Sequence, residues 1–150
     1  MRKVLLVGGL LGLPAVIGMS QEAPRAAFDH DPRLRRLQEF FGARECPLQD
    51  SAADFLIAAD TNALDWRLLP SISMVESSGG KDYKNNNVFG WDSCREGFSS
   101  VKEGIHFVAA KLANSKLYKD KGLDDKLSTY NPRPDYPRRV KAVMNALSLN

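Results

Sequence analysis

Apolar residues recur three and four positions apart in one segment after another of this chain, and that spacing commits it to helices. Leu34, Leu37, Phe40 and Phe41 form one stripe, Ala52, Phe55, Leu56 and Ala59 a second, and Leu68, Leu69, Ile72 and Val75 a third. Val101, Ile105, Val108, Ala109 and Leu112 follow, and Val140, Val143, Met144 and Leu147 form the last. Residues at this spacing share one helix face, so each stripe needs another element to bury against. A chain of 150 residues suits one domain around one core. The reading is a mainly α fold of six or seven helices with at most one small β-hairpin.

The punctuation agrees with the stripes. Asp31-Pro32 offers an N-cap and a proline at the first helical position, and Gly42 a stop. A second helix begins near Asp50 or Ser51 and ends at Asn62; Asp65 caps a third, which Pro70 either starts or kinks. Ser100 to Glu103 is a capping box. A short helix is expected around Leu123 to Tyr130, and another from Pro137, separated by Asn131-Pro132-Arg133-Pro134, whose prolines disfavour helix in the residues before them. Val88 to Trp91 and Arg95 to Phe98 are expected to pair as the small hairpin around Asp92-Ser93-Cys94.

Residues 1–20 read as a signal peptide: Arg2-Lys3 precede an apolar run from Val4 to Met19, with small residues Gly18 and Ser20 before a cleavage point. The run is shorter than the ~20 residues of a membrane span; an uncleaved N-terminal anchor is the alternative. No cysteine follows the run, which disfavours a lipid anchor. Residues 21–30 look like a flexible leader, and 31–150 like the domain proper, with a helical extension to about residue 50. An exported chain works in the periplasm or outside the cell, where Cys46 and Cys94, the two cysteines, are expected to pair and to stabilise the fold by about 4 kcal/mol; two separate buried thiols are the alternative. The net charge is +3, and without Arg2 and Lys3 there are 19 basic residues against 18 acidic ones. So balanced a chain is not built for nucleic acid. His30 and His106 have no ligand spacing to either cysteine, and no phosphate loop or nucleophile elbow is present, so neither metal nor cofactor is expected.

The chemistry concentrates between Trp66 and Trp91, WRLLPSISMVESSGGKDYKNNNVFGW. Helical spacing puts Glu76 over Ile72 and Leu69, where partial burial would keep a carboxyl protonated and able to serve as a general acid. The same spacing also suits an exposed helix-end glutamate or one bonded to the turn amides. Asn85, Asn86 and Asn87 carry amides that donate and accept, as sugar hydroxyls require. Phe89, Trp91, Tyr83, Tyr130 and Tyr136 lie near turns, where each could serve a sugar groove or the core, Phe89 rather the core, and Gly79, Gly80 and Gly90 permit positive φ or close approach.

Taken together, MVESSGGKDYKNNNVFGW resembles the signature of the bacterial glucosaminidase domain, the endo-β-N-acetylglucosaminidase family of autolysins related to lytic transglycosylases. The matching residues are Glu76-Ser77, Gly80 and Asn87-Val88-Phe89-Gly90, followed by TYNPRPDYPRRVKAVMNAL with Tyr130 and Tyr136. The resemblance covers roughly residues 51–147. It implies a lysozyme-like fold and a monomer acting on the β-1,4 glycan strands of peptidoglycan. It makes Glu76 the general acid and Tyr130 a catalytic partner, with Asn87, Phe89, Gly90, Trp91 and Tyr136 shaping the groove. The family's longer hairpin, which often holds a second acid, is reduced here to residues 91–98, so Asp92 and Glu96 are the possible second acids. A nucleophile would stand about 5–5.5 Å from Glu76 and a water-activating base about 6.5–9.5 Å. Otherwise the substrate's N-acetyl group or its C6 hydroxyl completes the reaction. A binding module that kept the groove without the chemistry is the reading outside enzymes.

Overall fold

The computed structural model describes residues 28–149, so the signal-peptide segment and residues 21–27 of the leader lie outside the described residues. Residues 28–30 form a turn, with Phe28 half-buried against the core. The described chain is mainly helical: α1 (Pro32–Gly42), α2 (Ala52–Thr61), α3 (Leu68–Ser77), α4 (Val101–Asn114), α5 (Leu123–Tyr130) and α6 (Tyr136–Leu147). Single 3₁₀ turns occupy Pro47–Ser51 and Trp91–Cys94. Among the described residues there is no strand, only an isolated bridge between Lys84 and Asn87. None of their helices is long and apolar enough to cross a membrane.

The stripes find each other as their spacing requires. α2 packs on α4, α3 on α6, α5 on α6, and α1 on both α2 and α6. Aromatic rings run through the centre: Phe41 stacks on Phe55 at 5.8 Å, and Phe55 meets Phe89 edge-on at 6.3 Å. Leu37, Leu56, Leu69, Ile72, Ile105 and Val140 are wholly buried around them. Each such side chain contributes about 1.5–3 kcal/mol relative to exposure.

The helix ends follow their sequence signals with two refinements. Asp31 caps α1 by accepting from the Arg33 amide at 2.8 Å. Asp65 accepts from the Arg67 amide at 3.0 Å, and its carbonyl from Leu68, so it builds the turn that leads into α3. Pro70 sits in the first turn of α3, where its missing N–H has no intrahelical partner to lose. At α4, Ser100 Oγ accepts from the Glu103 amide at 3.1 Å, while Glu103 reaches back to the amide and hydroxyl of Ser99.

The hairpin expected over 88–98 does not form. Gly90, Asp92, Ser93 and Cys94 all have left-handed φ, between 48° and 60°. A strand needs an extended backbone, so this run curls into a turn instead. The extension before residue 50 proves integral to the core. Leu48 is buried, and its amide donates to the Gly79 carbonyl at 3.3 Å.

Candidate functional site

The turn after α3 shows how a carboxylate is held at a helix end. Ser78 ends the helix in the left-handed conformation, and Gly79 and Gly80 follow with φ of 70° and 83°. Ser77 is buried and organises the turn. Its hydroxyl donates to the Ser73 carbonyl at 2.9 Å and accepts from the Gly80 amide at 3.2 Å. A side chain at Gly79 would collide with Cys46, its Cβ only 2.5 Å from the sulfur. The turn is thus clamped from behind by the segment after α1, and Glu76 is left half-buried on the opposite side.

Glu76 opens onto a cleft of about 740 Å³. Gly90 lies against it so closely that a Cβ there would stand 2.9 Å from Glu76 Oε2. One wall is the left-handed turn, with Trp91, Asp92, Ser93 and Cys94, continued by Glu96. The other wall brings Leu117 and Tyr118 together with Tyr130, Asn131 and Pro132. Trp91 meets Tyr130 at 5.7 Å and Tyr118 at 6.1 Å, and rests edge-on against Phe107 at 6.1 Å. The lining holds three carboxylates and no cationic side chain.

Of the residues picked from sequence, Glu76, Gly90, Trp91, Tyr130, Asp92 and Glu96 meet at this cleft. Asn87, Phe89 and Tyr136 do not line it, contrary to their expected place in the groove. Asn87 is buried and serves the loop. Its Nδ2 donates to the carbonyls of Trp91 and Glu96 at 2.9 and 3.0 Å, and its Oδ1 accepts from the Trp91 amide at 3.0 Å. Phe89 is a core ring, because the apolar cluster of Phe41 and Phe55 claims it. Its carbonyl accepts the Tyr130 hydroxyl proton at 2.6 Å. Tyr136 lies beneath, its ring parallel to Tyr130 at 6.0 Å.

Asp92 is held by Arg95 in an ion pair, whereas Glu96 is exposed and has no ion pair among the described residues. The bridge expected between Cys46 and Cys94 is not formed; both thiols are free. Cys46 is buried, its sulfur 3.5 Å from the Ser78 carbonyl and 3.8 Å from Met74 Sδ, while Cys94 belongs to the cleft wall. Gly79 packs on the Cys46 sulfur, and Cys46 does not line the cleft.

The electrostatics assign donors. Burial above all, and then the nearby Glu76 charge, raise the ionisation of Tyr130 and of Tyr136 well above the ordinary tyrosine value. Burial also raises Tyr118. All three stay protonated at neutral pH and act as donors, not bases. Among the described residues no group of three His, Cys, Asp or Glu side chains could hold a metal ion.

Leu117, Tyr118, Ser93, Asn131 and Pro132 were not picked as site residues from sequence, and Cys94 was picked only for a disulfide. Leu117 carried a usable signal, since it is an apolar residue amid lysines in SKLYKDK and is 56% exposed at the rim. No protein-family model matches this chain, and neither a curated protein nor a solved structure resembles it at a significant level.

Proposed function

We propose that the chain is an exported glycosidase of lysozyme-like type that cleaves β-1,4 bonds in the N-acetylated glycan strands of peptidoglycan. The observation that carries this reading is the half-buried Glu76 carboxyl at the mouth of α3, facing a cleft walled by Trp91, Tyr118 and Tyr130. Aromatic faces suit the apolar faces of pyranose rings, and a sugar held against them would bring a glycosidic oxygen to the carboxyl. Glu76 protonates that oxygen, the C1–O bond breaks with its electron pair going to the leaving sugar, and an oxocarbenium-like centre results. Glycine at position 90 keeps the approach to Glu76 Oε2 open.

Capture of that centre is the step at which hydrolysis and transglycosylation part. Asp92 is engaged by Arg95, so Glu96 is the carboxylate on the wall left to activate a water. The sugar's own C6 hydroxyl is the alternative nucleophile, and it would leave a 1,6-anhydro end. Glu76→Gln keeps the shape and removes the proton, so cleavage of purified peptidoglycan should fall by about 10²–10⁴-fold. Glu96→Gln should slow hydrolysis while sparing any anhydro product, as read by mass spectrometry of the released fragments. Wild-type cleavage rates in Glu76→Gln would sink the general-acid assignment. Binding without cleavage by the wild-type chain would favour a non-catalytic cell-wall module.

A further inference from the structure

Tyr136 begins α6 with 1% of its surface exposed, and its hydroxyl has no partner in strict hydrogen-bond geometry among the described residues. A buried donor without an acceptor is costly and calls for a reason. The helix of Tyr136 packs on the helix of Glu76, and both the charge of that carboxylate and a side-chain hydrogen bond to it act on the phenol, although the pair falls outside strict hydrogen-bond geometry. Tyr130 lies stacked on the same ring at 6.0 Å, but its single proton is committed to the Phe89 carbonyl at 2.6 Å. Of the two stacked phenols, Tyr136 is therefore the one with a proton to offer.

We infer that Tyr136 is the positioning residue for Glu76, its buried hydroxyl donating to the carboxylate as that group surrenders its proton to the glycosidic oxygen. The inference rests on the reading of Glu76 as general acid. Tyr136 keeps its own proton throughout; only the hydrogen bond shifts. The anion left on Glu76 gains a donor held in place by its own burial, so proton transfer becomes easier. The other titratable and charged groups facing this pair are Tyr130 on α5, Tyr118 across the cleft, and Asp92, Cys94 and Glu96 on the loop. Arg139 stands one turn along α6 and draws the Tyr136 ionisation the other way.

The test is Tyr136→Phe in the full chain, with kcat and KM measured on purified peptidoglycan across pH. Phenylalanine fills the same space without the unpaired oxygen, so the fold should hold. A lost hydrogen bond to a charge predicts kcat lower by about tenfold with KM nearly unchanged. The alkaline limb of the kcat profile should move to higher pH, because the acid releases its proton less readily. An unmoved limb overturns the inference, since a purely structural tyrosine would leave it in place. A second measurement needs neither a variant at Tyr136 nor catalysis. With tyrosine labelled at ¹³Cζ, the Tyr136 resonance should step as Glu76 ionises, and the step should vanish in Glu76→Gln. No step in the wild-type chain overturns the inference outright. A step in a chain that never cleaves glycan would sink the proposed function and leave the pairing of the two groups standing.

Discussion

Asn87 illustrates how one residue type serves two masters. An amide that donates and accepts is equally suited to a sugar hydroxyl and to a loop's backbone, and only burial decides between them. Here it is 1% exposed and ties together the two ends of the turn that carries Trp91 and Glu96. Asn87→Ala removes three hydrogen bonds and should cost about 2–4 kcal/mol in urea unfolding. Asn87→Asp retains the acceptor for the Trp91 amide but aims a carboxylate oxygen at two carbonyls, so it should destabilise at least as much. Near wild-type stability in the aspartate variant would contradict the clamp. Gly79 and Gly90 make the same point: the sequence marks them as glycines, but what a side chain would strike is set by Cys46 in one case and Glu76 in the other.

At the scale of elements, α1 is fixed by its start signal. Asp31 caps it and binds Arg33, whose guanidinium also reaches Asp60 on α2 at 2.8 and 2.9 Å. The side-chain hydrogen bond from Arg33 holds the Asp31 carboxyl below the usual aspartate value of 3.8. The native state therefore favours the charged form. Its contribution is fully present above that value and is lost as pH falls through the lower native value. Asp31→Asn keeps a side-chain cap but loses the charged pair with Arg33, and should cost about 1 kcal/mol at neutral pH, with the difference from wild type closing below about pH 3.8. Thermal melts from pH 7 down to pH 2 would check it; a gap that persists at the acid end would argue against the charged cap. The 88–98 segment is the counter-case. Two short runs, Val88 to Trp91 and Arg95 to Phe98, around Asp92-Ser93-Cys94 suggest a hairpin, but the left-handed residues at 90 and 92–94 make a turn.

For the molecule as a whole, the sharpest departure concerns the two cysteines. The sequence supports a bridge from the N-terminal extension to the cleft loop, whereas in the structure both thiols are free. Burial raises the Cys46 thiol above its ordinary ionisation and shields it, while Cys94 faces the cleft. A thiol reagent applied to the native protein should label Cys94 within minutes and Cys46 only on unfolding, as peptide mapping would show. Equal protection of both, released together by a reductant, would restore the bridge. The labelled Cys94 would also place a bulky group in the cleft beside Glu76.

The sequence alone determined the helical architecture, because the 3.6-residue period of its apolar residues is a local property that any compact arrangement must respect. It also determined the caps at Asp31 and Ser100 and the glycine-serine break after Glu76, which depend on a few adjacent residues. It could not decide which of several chemically equivalent side chains would face the cleft. Tyr130 and Tyr136 are the same residue six positions apart; one lines the cleft and the other lies beneath it, because α5 and α6 pack with the rings stacked. Asp92 and Glu96 are both acids on one loop, and both reach the cleft wall only because the fold sets that loop opposite Tyr118 and Tyr130. Burial, pairing and separation through space arise from contacts between distant segments. They follow from how the six helices close around Phe41, Phe55 and Phe89.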